Sequence, residues 1–452
     1  MRPYNFNDLL SRWAEEIAPA AFVGGRHFAV RRGQAMSEEK KTGGSRILFW
    51  GITWNIFIAG IVSFFMDVSS EMAYAVGPLF LTSLGASAEV LGFIEGVAEA
   101  TAAVFKYLSG ALADKFQRYK PLVTIGYLVS ALSRPLMAAA PTWQYFLGGR
   151  IVDRFGKGVR TAPRDAMLAA SSEKKSYGKS FGFHRAMDQS GAIVGPVAAS
   201  AILLVIASTA MPTAANFRVV IWLALIPGLI AAVATFFLIE TGRGRKKEAE
   251  LASAAAARGD APEEAPSGGG ARFWYFLAVM LVFSVGNSSN AFLILRSKDL
   301  GMPEKIIPLA YAMMNIVYVA ASIPWGLWAD KIGFRRVILV GFGVFALVYY
   351  LIGRATEAWM MWGLFAAYGL FESAFEGQSR AYLATLAKKH MRGTAFGIFN
   401  MLIALTVFPA SLVAGILYTM DKPWAFYYGA IMAAAAFVML AAEGLVFGRR
   451  AA

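Results

Sequence analysis

Residues 109–123 read SGALADKFQRYKPLV, and residues 325–339 read WGLWADKIGFRRVIL. In both, a glycine (Gly110, Gly326) stands four residues before an aspartate (Asp114, Asp330), and basic residues follow. The two aspartates are 216 residues apart. Two other pairs keep nearly that offset. DVSSEM (67–72) answers GNSSNA (286–291), with serine pairs 219 apart, and SFGF (180–183) answers AFGI (395–398). Three matches in one order at almost constant spacing indicate a duplicated unit.

The material being duplicated is apolar. The chain has 452 residues, 57% hydrophobic and 16% charged, against about 25% charged in ordinary soluble domains. A membrane-crossing helix needs about 20 apolar residues. Spans are expected at 52–83, 89–111, 121–140, 142–162, 180–206 and 217–240, then at 272–296, 305–326, 335–353, 357–386, 393–418 and 423–447. Twelve spans in two six-span halves suit a secondary transporter, whose site lies near the bilayer midplane between its repeats.

The net charge of +14 belongs to topology rather than to nucleic acid, because the basic residues cluster at the ends of apolar runs. DKFQRYK (114–120), SSEKKSYGK (171–179), GRGRKKE (242–248), DKIGFRR (330–336), AKKHMR (387–392) and GRR (448–450) fall on one side. The other side has far fewer Lys and Arg, RSKDLGMPEK (296–305) excepted. The positive-inside rule then makes both termini cytoplasmic. Residues 1–46 lack the apolar core of a signal peptide. They read as a cytoplasmic extension, translated from Met1, or lacking its first 35 residues if translation starts at Met36. Residues 241–271, rich in Ala, Gly, Pro and charge, read as a cytoplasmic linker.

Other chemistries are excluded. Without cysteine there are no disulfides, thiolate metal sites or cysteine nucleophiles. His27, His184 and His390 lack metal-ligand spacing, and no Walker loop or dinucleotide fingerprint occurs. No enzyme activity, cofactor or metal is expected.

Within the spans, charge is the anomaly. GRIVDRFGKGVRTAPRD (149–165) carries Asp153, Lys157, Arg160 and Arg164 at i, i+4, i+7 and i+11, one stripe of a helix. Four such charges facing lipid would cost about 10–14 kcal/mol even at the lenient 2.5–3.5 kcal/mol apiece, so the stripe faces protein or water. Asp153 precedes Lys157 by four, the favourable order for a helical pair. Pro163 is expected to kink or end the helix, bringing Arg164 and Asp165 to the cytoplasmic surface. Asp67 and Glu71, Glu95 and Glu99, Arg185 and Asp188, and Glu372 and Glu376 are spaced to share helix faces, and Asn287–Asn290 form a neutral cluster. Burial favours the neutral carboxyl and a nearby cation the charged one, so a carboxyl alternating between such settings can carry a proton. Asp67, Glu71, Glu95, Glu99, Asp153 and Asp188 are the proton-coupling candidates. Arg134, Arg150, Arg154, Lys157, Arg160, Arg185, Asn290, Glu372 and Glu376 are the cavity candidates, the guanidiniums suiting an anionic group. The alternative is a static set of ion pairs that fixes helix register. Gly191, Gly195 and Pro196 suit close helix packing and a bend.

GALADKFQRYK resembles motif A of the major facilitator superfamily, and GLWADKIGFRR its second copy. GAIVGP (191–196) resembles motif C, associated with antiporters, and RFGKG (154–158) the core of motif B. Gln117 replaces the usual motif A glycine, and Ala198 and Ala199 stand where motif C continues with glycines. The resemblance implies an all-α fold of two pseudo-symmetric six-helix bundles, residues 47–240 and 272–447, with a cytoplasmic tail at 448–452. It implies that Gly110, Asp114, Arg118, Gly326, Asp330 and Arg335 form a cytoplasmic gate, latched when the site faces outward. The expected function is proton-coupled transport of a small organic solute by a monomer in a bacterial inner membrane. Export is favoured by GAIVGP, with proton symport of an anionic metabolite and a non-transporting sensor as alternatives.

Overall fold

The computed structural model of the chain describes residues 47–49, 52–116, 118–172, 177–207, 212–241, 270–386 and 392–447. The N-terminal extension, most of the linker, Gln117, the C-terminal tail and the Asp114 side chain lie outside what is described.

Twelve helical segments make up the body. The first half holds α1 (Trp54–Ser83), α2 (Ala88–Phe116), α3 (Lys120–Ala138), α4 (Trp143–Ala170), α5 (Tyr177–Ile206) and α6 (Ala214–Phe237). The second holds α7 (Ala271–Asp299), α8 (Ile307–Ile332), α9 (Phe334–Arg354), α10 (Met360–Leu386), α11 (Arg392–Met420) and α12 (Lys422–Val446). A short antiparallel ribbon, β1 (Ile47–Phe49) and β2 (Ile52–Thr53), precedes α1, and the fold is all-α as expected. At 1.5 Å per residue, the 30 residues of α1 span about 45 Å, enough to cross a hydrocarbon core of about 30 Å.

Local chemistry sets the helix ends. Proline occupies the first turn of α3, α8 and α12, where its missing N–H has no intrahelical partner to lose. Gly85 and Gly301 follow α1 and α7 at φ +80 and +84, a conformation glycine adopts without strain. They lie 216 residues apart, so the duplication extends to the helix terminators. Two other features differ from expectation. Segment α7 is interrupted at residues 287–290, where the neutral Asn-Ser-Ser-Asn cluster lies. Pro163 does not end α4, which continues to Ala170 with Pro163 buried inside it.

Among the described residues, nine of the twelve segments are long and apolar enough to cross a membrane; α2, α4 and α10, the segments richest in charge within their spans, are not among them. The two halves are packed differently. Rings fill the second, where Phe283, Phe342, Phe345, Tyr349 and Phe371 are almost wholly buried in mutual contact. The first half encloses ionic groups instead.

The chain alternates between two ends. Motif A and its copy lie at one, the motif end. The other carries residues 84–87, 300–306 and 355–359. The halves meet tightly near this opposite end. Any side chain at Gly92 would collide with the Ser411 backbone of α11, and a Cβ at Gly415 would lie 2.7 Å from Ala88 O. Asn315 Nδ2 donates to Ala192 O at 3.0 Å, and Ser200 Oγ donates to Lys305 O, joining α5 to α8. Toward the motif end, Gly326 has nothing within 4 Å of its would-be Cβ, and Asp330 and Arg118 are exposed. Nearer the middle, Arg185 of α5 and Glu376 of α10 pair across the halves at 2.8 Å. Among the described residues the conformation is closed at the opposite end and open at the motif end, where Gly326, Asp330 and Arg118 are uncovered.

Candidate functional site

The charged groups separate into a sealed set and a hydrated set. The sealed set lies where α2, α3 and α4 meet. Arg150 Nη2 donates to both Glu95 oxygens at 3.0 and 3.1 Å, and Arg150 Nη1 reaches Asp153 at 3.4 Å. Arg134, 0% exposed, pairs with Asp153 at 3.1 Å and donates through Nε to Ser69 Oγ of α1. Four ions thus neutralise one another in a chain, Glu95–Arg150–Asp153–Arg134. Removing a buried ion's partner is costly while the complete set is tolerated. Small residues permit the approach. A Cβ on Gly156 would lie 2.6 Å from Gly126 O and 2.8 Å from Ser130 N, which lets α3 and α4 touch along their backbones.

Arg134, Arg150 and Arg154 are thus each paired with a carboxylate. Arg154 pairs with Glu99 at 3.3 Å. Asp153 takes Arg134 and Arg150, not Lys157, as partners. Arg160 is buried against the Tyr127 ring, its guanidinium carbon 4.5 Å from the centroid, and donates to Ser130. Arg164 pairs with its neighbour Asp165 at 2.9 Å while still within the helix.

The hydrated set lies on the inner faces of α1, α2, α4, α5 and α10. Lys157, at mid-length of α4, is exposed and has no ion-pair partner among the described residues. The Glu99 side chain is 37% exposed and that of Arg185 47%. Charges cannot be left in lipid at that depth, so this exposure is to a water-filled vestibule between the halves. Its entrance is the open motif end.

On the vestibule wall, the carboxyls of Asp67 (α1) and Asp188 (α5) are close neighbours. Two carboxylates have no donor between them, so a hydrogen bond joining them requires a proton. Lys157 and Glu71 are charged neighbours of Asp67. Glu71 reaches Tyr311 of α8 and leaves its second oxygen buried without a partner. The glycines expected to serve packing seat these acids. The would-be Cβ of Gly191 lies 2.9 Å from Asp67 Cβ, and that of Gly195 2.9 Å from Glu71 Cβ. Pro196 lies inside α5 one residue further on.

From the second half, Arg185 Nη2 is bound by Glu376 at 2.8 and 3.0 Å, with Tyr318 OH donating to Glu376 at 2.7 Å. Asn290, at the break in α7, donates to Glu372 at 3.3 Å. Ser289 bonds Tyr74 OH at 3.0 Å and reaches Glu95 at 3.4 Å, tying the sealed set to the second half. Of the gate residues, Arg335 is engaged inside its own half. It pairs with Glu443 of α12 at 3.1 Å and donates to the Leu440 and Ala441 carbonyls. Glu443, 0% exposed, also takes Arg272 and Tyr382. Sequence reasoning missed Glu443, although an acid inside the last apolar run was the available signal. It also missed Tyr74, Tyr311 and Tyr318, which nothing in their spacing distinguishes from core aromatics. Among the described residues no His, Asp and Glu cluster is arranged to hold a metal ion.

Residues 57–294 and 274–445 match the family model described as Major Facilitator Superfamily. An uncharacterised MFS-type transporter of Methanocaldococcus jannaschii is 31% identical over 385 residues, 84% of this chain and 92% of that protein. The solved structure of a POT family transporter in complex with 5-aminolevulinic acid superposes with a TM-score of 0.70 at 12% identity, covering 90% of this chain and 99% of that one. A D-xylose-proton symporter gives 0.67 at 15% identity, covering 85% and 96%. At these identities the two structures establish likeness of fold alone.

Proposed function

Because the chain belongs to the major facilitator superfamily, we propose that this transporter is proton-coupled and exports a small organic solute by alternating access. The observation that carries this reading is the Asp67–Asp188 carboxyl contact on the wall of the vestibule. Two acids held together on that wall suit a shared proton, and the exposure of Lys157, Glu99 and Arg185 nearby supports access of water to it. The sealed Glu95–Arg150–Asp153–Arg134 set has no such access and serves as the fixed frame.

With the basic loops inside, the motif end is cytoplasmic, as are residues 1–46, 241–271 and 448–452. The membrane is the bacterial inner membrane and the transporting unit is one chain. In the observed conformation the Asp67–Asp188 pair releases its proton to the cytoplasm and the vestibule takes up solute. Closure over Gly110, Asp114, Gly326 and Asp330 then turns the site outward, where the pair is recharged and solute leaves. Export rests on the antiporter-associated GAIVGP glycines, which here hold α5 against the two acids of α1.

A second reading, import of an anionic solute with protons, is favoured by Lys157, a vestibule cation without an ion-pair partner among the described residues. One experiment separates the two. Solutes that raise the melting temperature of the purified protein are loaded into proteoliposomes, and a pH gradient, acid outside, is imposed. Expulsion driven by the gradient is export by antiport; uptake driven by it is symport. Flux indifferent to the gradient would overturn proton coupling in both.

A further inference from the structure

Arg185 occupies an unusual place, because one guanidinium serves both the proton site and the seam between the halves. Nη1 donates to Asp188 Oδ2 at 3.3 Å, within its own helix. Nη2 donates to both oxygens of Glu376 on α10, at 2.8 and 3.0 Å, and to Tyr318 OH on α8 at 3.2 Å. The bridge therefore runs between the halves through side chains alone, from α5 to α8 and α10.

We propose that Arg185 couples the proton site to the movement of the halves. Its guanidinium is handed between Asp188 in the first half and Glu376 in the second as the Asp67–Asp188 pair loses or gains its proton. The proposal rests on the reading of that pair as the proton site.

The electrostatics follow from the charges in contact. With one shared proton the Asp67–Asp188 pair carries a single negative charge, and Glu376 is the stronger partner, consistent with its two shorter bonds. When the proton leaves for vestibule water, the pair carries two. Asp188, already within 3.3 Å, then draws the guanidinium away, and the tie to α10 loosens. The other groups facing the pair are Glu71, Lys157, Arg164 and His184. None of them has an ion-pair partner in the second half among the described residues, so none duplicates the bridge. Arg380 sits 3.3 Å from Glu376 on α10 itself and can hold that carboxylate when Arg185 leaves. The exposure of Arg185, 47%, leaves room for the exchange.

The chain has no cysteine, so two introduced cysteines can be spin-labelled without background. Pro121→Cys and Arg336→Cys place labels on exposed positions at the motif end, one on each half. Double electron–electron resonance in nanodiscs at acid and alkaline pH then reads the opening. In the otherwise unaltered chain a long, open-end distance dominates at acid pH, and a shorter one grows several-fold at alkaline pH. Glu376→Gln should show the shorter distance at both pH values, and Asp188→Asn the long distance at both. The exchange Arg185→Glu with Glu376→Arg restores an ion pair across the seam but sets a carboxylate beside Asp188. Its pH response should therefore be lost, whereas a merely structural bridge predicts full rescue. A pH response that survives undiminished in Glu376→Gln, or is rescued by the exchange, overturns the role of Arg185 even if Asp188→Asn abolishes it. If the unaltered chain shows no pH response, both the proposal and its premise fail. The single Glu376→Gln variant decides the matter should the exchanged pair not fold.

Discussion

Gly191 on α5 lies directly over Asp67 on α1, so close that a Cβ there would sit 2.9 Å from the Asp67 Cβ and collide with the Phe64 carbonyl. A glycine in a motif associated with antiporters thus fixes the position of a carboxyl proposed to carry the proton. The connection is mechanical. Backbone contact between the two helices sets how far apart the Asp67 and Asp188 carboxyls stand.

Replacing Gly191 by Ala should force α1 and α5 apart at the pair. Overpacking of this kind costs about 1–3 kcal/mol, seen as a lower melting temperature of the purified protein. The proton dependence of flux should weaken beyond what the stability loss explains. An alanine variant with unchanged stability and unchanged pH dependence would show that the close approach is incidental.

The sealed and hydrated sets should respond oppositely to neutralisation. Asp153→Asn leaves Arg134 and Arg150 without the charge between them, and breaking a buried pair in this way costs about 3–5 kcal/mol. Lys157→Gln removes an exposed charge without an ion-pair partner among the described residues and should stay within about 0.5 kcal/mol, while altering solute recognition. Thermal unfolding followed by tryptophan fluorescence, alongside counterflow, tests both. Equal destabilisation by the two changes would dissolve the division.

The end opposite the motifs is closed by glycines that let α2 and α11 touch. Gly96→Leu must push aside Phe408, whose ring carbon would lie 2.6 Å from even a methyl group there. This variant should spend more time open at that end. A cysteine introduced at Thr82, which lines a pocket of about 240 Å³ at the seam there, reports it through reaction with an impermeant maleimide. Faster labelling is expected, and an unchanged rate would contradict the assignment of these glycines to the seal.

At the motif end, Asp330 is exposed in the open conformation, as a latch residue should be when the latch is undone. Asp114→Asn is expected to express normally and to abolish transport, measured by solute counterflow. Normal flux would exclude the latch.

Much of this architecture was legible because duplication and apolar spacing are sequence-level facts. Asp114 and Asp330, the charged helix around Asp153 and the glycines of α5 announced the repeat, the enclosed ions and the close packing. The division of the ions was not legible. Arg134 and Lys157 look alike along the chain, yet one is wholly buried and the other faces water. That difference depends on how α2, α3 and α4 rotate against each other. Pro163 misled for a similar reason. A buried proline inside a packed helix is held by its neighbours, so its local preference for a break is overridden. Glu443 escaped notice because its partners Arg272, Arg335 and Tyr382 come from three other helices, distant in sequence.

The central claim is that the Asp67–Asp188 pair holds a titratable proton in contact with vestibule water. Infrared difference spectroscopy of the purified protein, stepped from acid to alkaline pH, measures this without knowledge of the solute. The account predicts a protonated-carboxyl carbonyl band that disappears as pH rises, is sensitive to deuterium exchange within the dead time, and is absent from the Asp67→Asn/Asp188→Asn variant. An identical band in that variant, or a pair whose band never changes with pH, would contradict it.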